Sequence, residues 1–163
     1  YGLSSYGLAV QLGLTPPEAS DLMDRYFTRF GGIRDYLKTV VADARKVGYT
    51  ETVMGRRRYL PDLNHDNRQR REIAERMALN APIQGSAADI IKQAMLNVDA
   101  ALQSEKLKSR LLLQVHDELV LEVPNHELEL VKNQLPLLMT EVATLKVPLL
   151  VEVGCGANWE EAH

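Results

Sequence analysis

His116, Asp117 and Glu118 set an imidazole beside two carboxylates at the junction of two apolar runs, within Leu111 to Val123, LLLQVHDELVLEV. A carboxylate at a stiff corner is a hard oxygen ligand, and Mg²⁺ sites use one or two of these together with phosphate oxygens. Adjacent strand residues point to opposite faces. Asp117 is therefore the expected metal ligand and Glu118 its acidic neighbour, with His116 placed to hydrogen-bond a phosphate or sugar oxygen. The competing reading is a merely polar hairpin end. Two further groups of residues could meet a polyanion. Arg56, Arg57 and Arg58 are consecutive, and Arg76, Asn80 and Gln84 are spaced four apart, which lines them up along one side of a helix. Their amide and guanidinium donors suit the acceptors of a minor groove or sugar edge. An ordinary exposed helix face would look the same.

The elements that must position these groups follow from spacing. Leu111, Leu113 and Val115 alternate, as do Leu119, Leu121 and Val123, which is the period of strands with one buried face. The economical arrangement is a hairpin with His116 and Asp117 as its loop, pairing Val115 with Glu118 and Gln114 with Leu119. Such a loop needs a primed turn, and Asp tolerates left-handed backbone better than His. Upstream, Ser4 or Ser5 can cap a short helix, and Thr15-Pro16-Pro17-Glu18 is a capping-box start. An apolar stripe from Ala19 to Phe30, read as core, ends at Gly31-Gly32. A second helix then stops at Gly48. Tyr49 to Pro61 reads as a small β-hairpin about Met54-Gly55 with the three arginines at its tip; alternation turns one of them away from the other two. A helix from about Arg68 is interrupted at Pro82 and resumes from about Gly85 to Ser104. Asn125 can cap a later helix in which Pro136 implies a kink or two short pieces. Pro148 opens a last strand, Leu149 to Val153, that would extend the hairpin sheet. Gly154, Gly156 and Trp159 read as a turn and a packing anchor. The sum is an α+β fold, helices packed on a small antiparallel sheet.

With 163 residues, 45% of them hydrophobic, the chain suffices for one domain with a core. The net charge of -3 argues against nucleic acid in bulk, but the seven arginines from Arg56 to Arg76 outnumber the four acids there, which makes a local basic band. Cys155 is the single cysteine, which excludes an internal disulfide and suits a reducing compartment. No apolar run nears the roughly 18 residues of a membrane span, and no signal-peptide pattern opens the chain, so a cytoplasmic setting is expected. The sequence starts without Met and in mid-pattern, as a piece of something longer would.

QVHDEL in an apolar hairpin, preceded by YGLSSYGLA, TVMGRRRYLPDL and ERMALNAPIQGSAADIIK and followed by VPLLVEVGCGANWEEAH, resembles the bacterial DNA polymerase I family, the family A DNA polymerases, over essentially the whole chain. The resemblance implies a right-hand polymerase, with about residues 1–48 belonging to the fingers and 49–163 mostly to the palm. It implies template-directed nucleotidyl transfer to a primer 3′-hydroxyl by a two-metal mechanism with Mg²⁺. By motif match Asp117 would be a metal ligand and Glu118 its catalytic neighbour. His116, Arg76, Asn80 and Gln84 would contact primer-template DNA, and Tyr1 would lie beside the incoming deoxynucleoside triphosphate. The family's other metal-binding Asp, from a DYSQIE-type strand, is absent here, as are the fingers cations that grip the triphosphate. The chain is therefore expected to need the missing upstream part of the polymerase and to be inactive alone. The alternative is a primer-template binding module without catalysis; a stable core fragment without activity is the third reading.

Overall fold

The structure is a computed structural model and describes residues 4–163. Tyr1, the expected nucleotide contact, lies outside the described residues. Two compact units emerge, one of residues up to Ser86 and one of Ala87–His163.

In the first unit, helix α1 (Ser5–Leu12) starts where the Ser4 side chain accepts from Gly7 N, and it stops at Gly13 with a φ of 67°. Helix α2 (Pro16–Arg29) carries the full capping box: the Thr15 side chain accepts from Glu18 N, and Glu18 Oε2 accepts from Thr15 N at 2.8 Å. Gly31 and Gly32 do not end the helical run. They form the first turn of α3 (Gly31–Val47), with Phe30 serving as the single hinge residue between the helices. Gly48, at φ 83°, ends α3 as expected. The α2 and α3 stripes are core only in part: Ala19 and Ala44 are buried, whereas Tyr26, Phe30 and Tyr36 are each nearly half exposed. In this unit the core sits further along, where Ala44 of α3, Leu60, Leu63, and Ala74 and Ala78 of α4 (Arg68–Ser104) pack together. Strands β1 (Tyr49–Glu51) and β2 (Arg57–Tyr59) form the small antiparallel hairpin, Tyr49 opposite Tyr59. Pro82 does not interrupt α4, which runs through it as one helix.

In the second unit, β3 (Arg110–Val115) and β4 (Glu118–Glu122) pair antiparallel. Helix α5 (Leu128–Thr140) contains Pro136 without breaking into two. The carbonyl of Lys132, which Pro136 cannot serve, belongs to an exposed residue that water can reach. Val98 and Leu102 of α4 and Val131 and Leu135 of α5 build the core against Leu119 and Leu121 of β4, with Val153 alongside. The segment Leu149 to Val153 is not a strand, and the hairpin sheet has two strands among the described residues. Trp159, the expected anchor, is 47% exposed.

Asn125 does not cap α5; Glu127 occupies that position without a side-chain cap bond of its own to the helix. Its carboxylate instead accepts from Lys108 N and Ser109 N at 2.9 Å each and from Ser109 Oγ at 2.6 Å, tying the entry of β3 to the start of α5. The Ser109 hydroxyl, then the Lys108 amide, hold the Glu127 carboxyl below its ordinary range. A depressed carboxyl stabilises the fold above its unfolded-state pKa and loses that contribution as pH falls through its folded value. Glu127→Gln should therefore flatten the fall of Tm with acidification below about pH 4.5. Parallel Tm-against-pH curves for the two proteins would rule this out.

Candidate catalytic hairpin and basic face

The β3–β4 corner has the register expected from the alternation, Val115 opposite Glu118 and Gln114 opposite Leu119, with His116 and Asp117 as the loop. The left-handed residue is His116, at φ 51°, and not Asp117. Gln114 explains how that backbone is held, because its Nε2 donates to the His116 carbonyl oxygen at 2.6 Å. The strand alternation itself is broken once. Between Leu111 and Leu113 the pairing shifts by a residue, so that Leu112 and Leu113 are 53% and 52% exposed and β4 alone supplies the regular core face.

Asp117 is exposed and makes no hydrogen bond or ion pair with any described residue. Its oxygens are free to meet a cation or a substrate. Glu118 is half-buried, and its Oε1 lies 3.1 Å from His163 Nδ1. The His116 ring is exposed beside them. No group of three or more His, Cys, Asp or Glu among the described residues could hold a metal by itself. One free carboxylate with an acidic neighbour fits Mg²⁺, which accepts one or two protein carboxylates and completes its shell with water and phosphate. It does not fit a zinc centre.

In the first unit the arginine band is largely committed to partners within the chain. Arg57 Nε donates to Glu51 at 2.6 Å, and its guanidinium stands 4.5 Å over the Tyr49 ring. Glu51, then the Tyr59 hydroxyl, hold its pKa above the ordinary value. Arg68 pairs with Glu72 at 2.7 Å, and Arg71 Nη1 donates to the His65 and Asp66 carbonyls at 2.8 Å each. Arg70 lies 3.6 Å from Asp62. Arg56 Nη2 donates to the Gly85 carbonyl at 3.1 Å. Arg58 and Arg76 are the band's arginines that pair with no described residue. Of the three tip arginines, Arg57 is turned onto Glu51, and Arg56 is bonded to the Gly85 carbonyl, so that two of them do not reach outward together.

The β1–β2 hairpin is seated on α4 by a close approach. A Cβ on Gly85 would stand 2.7 Å from the Thr52 methyl, so glycine is what lets the strand segment lie against the helix there. Ser86 Oγ accepts from Val53 N at 2.9 Å and donates to the Pro82 carbonyl. Gln84, Ala81 and Gly85 of α4 then share a depression of about 70 Å³ with Thr50, Glu51, Thr52 and Arg56, Arg57 and Arg58. Arg76 and Gln84 are exposed and pair with no described residue, whereas the Asn80 Oδ1 is buried without a partner. All three polar residues of the line are thus present on one helix with bonding capacity left over. The features that spacing could not show are the His163 bond and the Gly85 contact, since each depends on a partner brought up by the fold.

Comparison with known proteins gives a consistent result. The family model described as DNA polymerase family A matches residues 1–161. The chain is 59% identical to DNA polymerase I of Mycobacterium tuberculosis over 162 residues, 99% of this chain and 18% of that protein. It is 50% identical to DNA polymerase I of Pseudomonas aeruginosa over 163 residues, 100% of this chain and again 18% of the relative. A solved structure described as the POL domain of Pol1 from M. smegmatis in complex with DNA primer-template and dNTP superposes with a TM-score of 0.96 at 59% identity, covering 99% of this chain and 29% of that one. The chain therefore spans about a fifth of the length of the curated relatives it matches.

Proposed function

Because this chain belongs to DNA polymerase family A, we propose that it supplies part of the fingers (about 1–48) and most of the palm (49–163) of a polymerase that extends a DNA primer along a template. The observation that carries this reading is the unpaired Asp117 carboxylate at a pinned hairpin corner. Divalent ions bound there would stabilise the attacking and leaving oxygens of an in-line displacement. Asp117 would hold such an ion, most simply Mg²⁺. Glu118 would keep a second negative charge beside it, and the exposed His116 ring would contact a sugar or phosphate oxygen near the primer end. Arg76, Asn80 and Gln84 would bind the primer-template through donors that the chain itself leaves unused. Tyr1 would meet the deoxynucleoside triphosphate. No helix among the described residues is long and apolar enough to cross a membrane, and the reading places the work in the cytoplasm.

A single free carboxylate leaves the transferring phosphate largely unneutralised. The chain by itself should therefore give no primer extension above an Asp117→Ala control, and extension should return when the upstream part of the polymerase is added. The second reading, a duplex-binding module, draws on the free Arg76, Asn80 and Gln84 line. Its measure is binding of a primer-template by the isolated chain in a salt titration: Arg76→Ala should weaken it and lower the salt slope by about one ion. Extension by the isolated chain would overturn the first statement, and an unchanged slope the second.

A further inference from the structure

We propose that His163 is a positioning residue for Glu118, delivered to it by a glycine cradle at Gly154 and Gly156. This rests on the reading of Asp117 and Glu118 as the acidic pair of the reaction. His163 Nδ1 stands 3.1 Å from Glu118 Oε1, close enough for the ring N–H to donate to the carboxylate. The segment that leads to the ring is fixed by its own contacts. Val153, just before the cradle, packs into the same core as Leu119, the residue after Glu118, so both ends of the contact are anchored in one cluster. Between Val153 and His163 lies the four-residue helix α6 (Trp159–Ala162), whose start is fixed by Asn158 Oδ1 accepting from Glu161 N at 3.1 Å. Glu161 returns the bond, accepting from Ala157 N and Asn158 Nδ2 at 2.9 Å each.

The glycines are what allow this loop to close. A Cβ on Gly154 would overlap the Ala162 carbonyl oxygen, and one on Gly156 would stand 2.7 Å from the Glu161 carbonyl carbon. Real side chains do not reach such separations, so any other residue would push α6 off the segment that anchors it and carry His163 away from Glu118. The Glu118 carboxylate has no other hydrogen-bond or ion-pair partner among the described residues. Without His163 its carboxylate would sample several rotamers beside Asp117. With it, one oxygen is committed and the other is presented in a defined direction.

The test uses the full-length polymerase. His163→Ala should lower kcat about tenfold, the scale of losing a partner that orients a ligand-side carboxylate. KM for the nucleotide and Kd for primer-template should stay within about twofold of the parent values, and Tm should not change. His163→Asn, which keeps an N–H donor near the Nδ1 position, should recover most of the loss. In a Glu118→Ala background, His163→Ala should cost nothing further. If Glu118→Ala leaves kcat unchanged, the acidic-pair reading fails and the proposal with it. If Glu118→Ala is impaired but His163→Ala is not, or the two losses multiply, the positioning role alone is overturned.

Discussion

Asp117→Ala in the full-length polymerase is expected to lower primer extension about a thousandfold, because stabilisation of transition-state charge by a held metal is worth several kcal/mol and each 1.4 kcal/mol is a factor of ten. Duplex affinity should change little, since Asp117 bonds to no described residue and sits on a corner whose backbone is held by Gln114 and by the Val115 and Glu118 pairing. The two readouts separate chemistry from architecture. Extension measured at saturating primer-template and nucleotide, beside a Kd from anisotropy, gives both from one preparation. A mutant that loses binding along with turnover would make the hairpin a scaffold. Asp117→Asn adds a finer comparison, because it keeps the size and one oxygen while removing the charge a divalent ion needs.

Leu63→Ala should destabilise the fold by about 2–5 kcal/mol, the range for deleting most of a buried leucine side chain. Leu63 is 1% exposed and lies among Leu60, Ala44, Ala74 and Ala78. Three of those four neighbours are alanines, which have no side chain long enough to swing into the vacated space. The cost should therefore fall in the upper part of that range. Leu63→Met, which conserves volume, should cost under about 1.5 kcal/mol. Urea unfolding of the two variants checks the pair, and equal losses would mean that the site relaxes around a cavity. The Arg45–Glu75 bridge between α3 and α4 nearby is partly exposed and should contribute much less, about 1 kcal/mol at most.

The resemblance to the polymerase family came from long runs of residues in order, and the comparisons bear it out because wording of that length constrains a family strongly. The site was only partly legible. The hairpin register, with His116 and Asp117 as its loop, could be read directly, whereas the partition of the arginine band into committed and free members could not. Arg57 and Arg58 are adjacent and chemically identical, yet the side chain of one is turned onto Glu51 and Tyr49 while that of the other bonds to no described residue. Identity of residue type says nothing about which carboxylate or ring the fold will bring alongside.

Taken by itself, the sequence determined whatever is settled within about four residues of chain: the Thr15–Glu18 capping box, the stop at Gly48, and the two-residue corner at His116 and Asp117. Those features are closed by backbone geometry and by side chains that are already neighbours. Tertiary structure decided the rest. Gly31 and Gly32 open a helix instead of closing one, Pro136 stays inside α5, and residues 149–153 do not join the sheet. Glu127 reaches back 18 residues to Ser109, and His163 reaches Glu118 across 45. Contacts at such separations are chosen by which cores pack together, and local propensity carries no information about that choice.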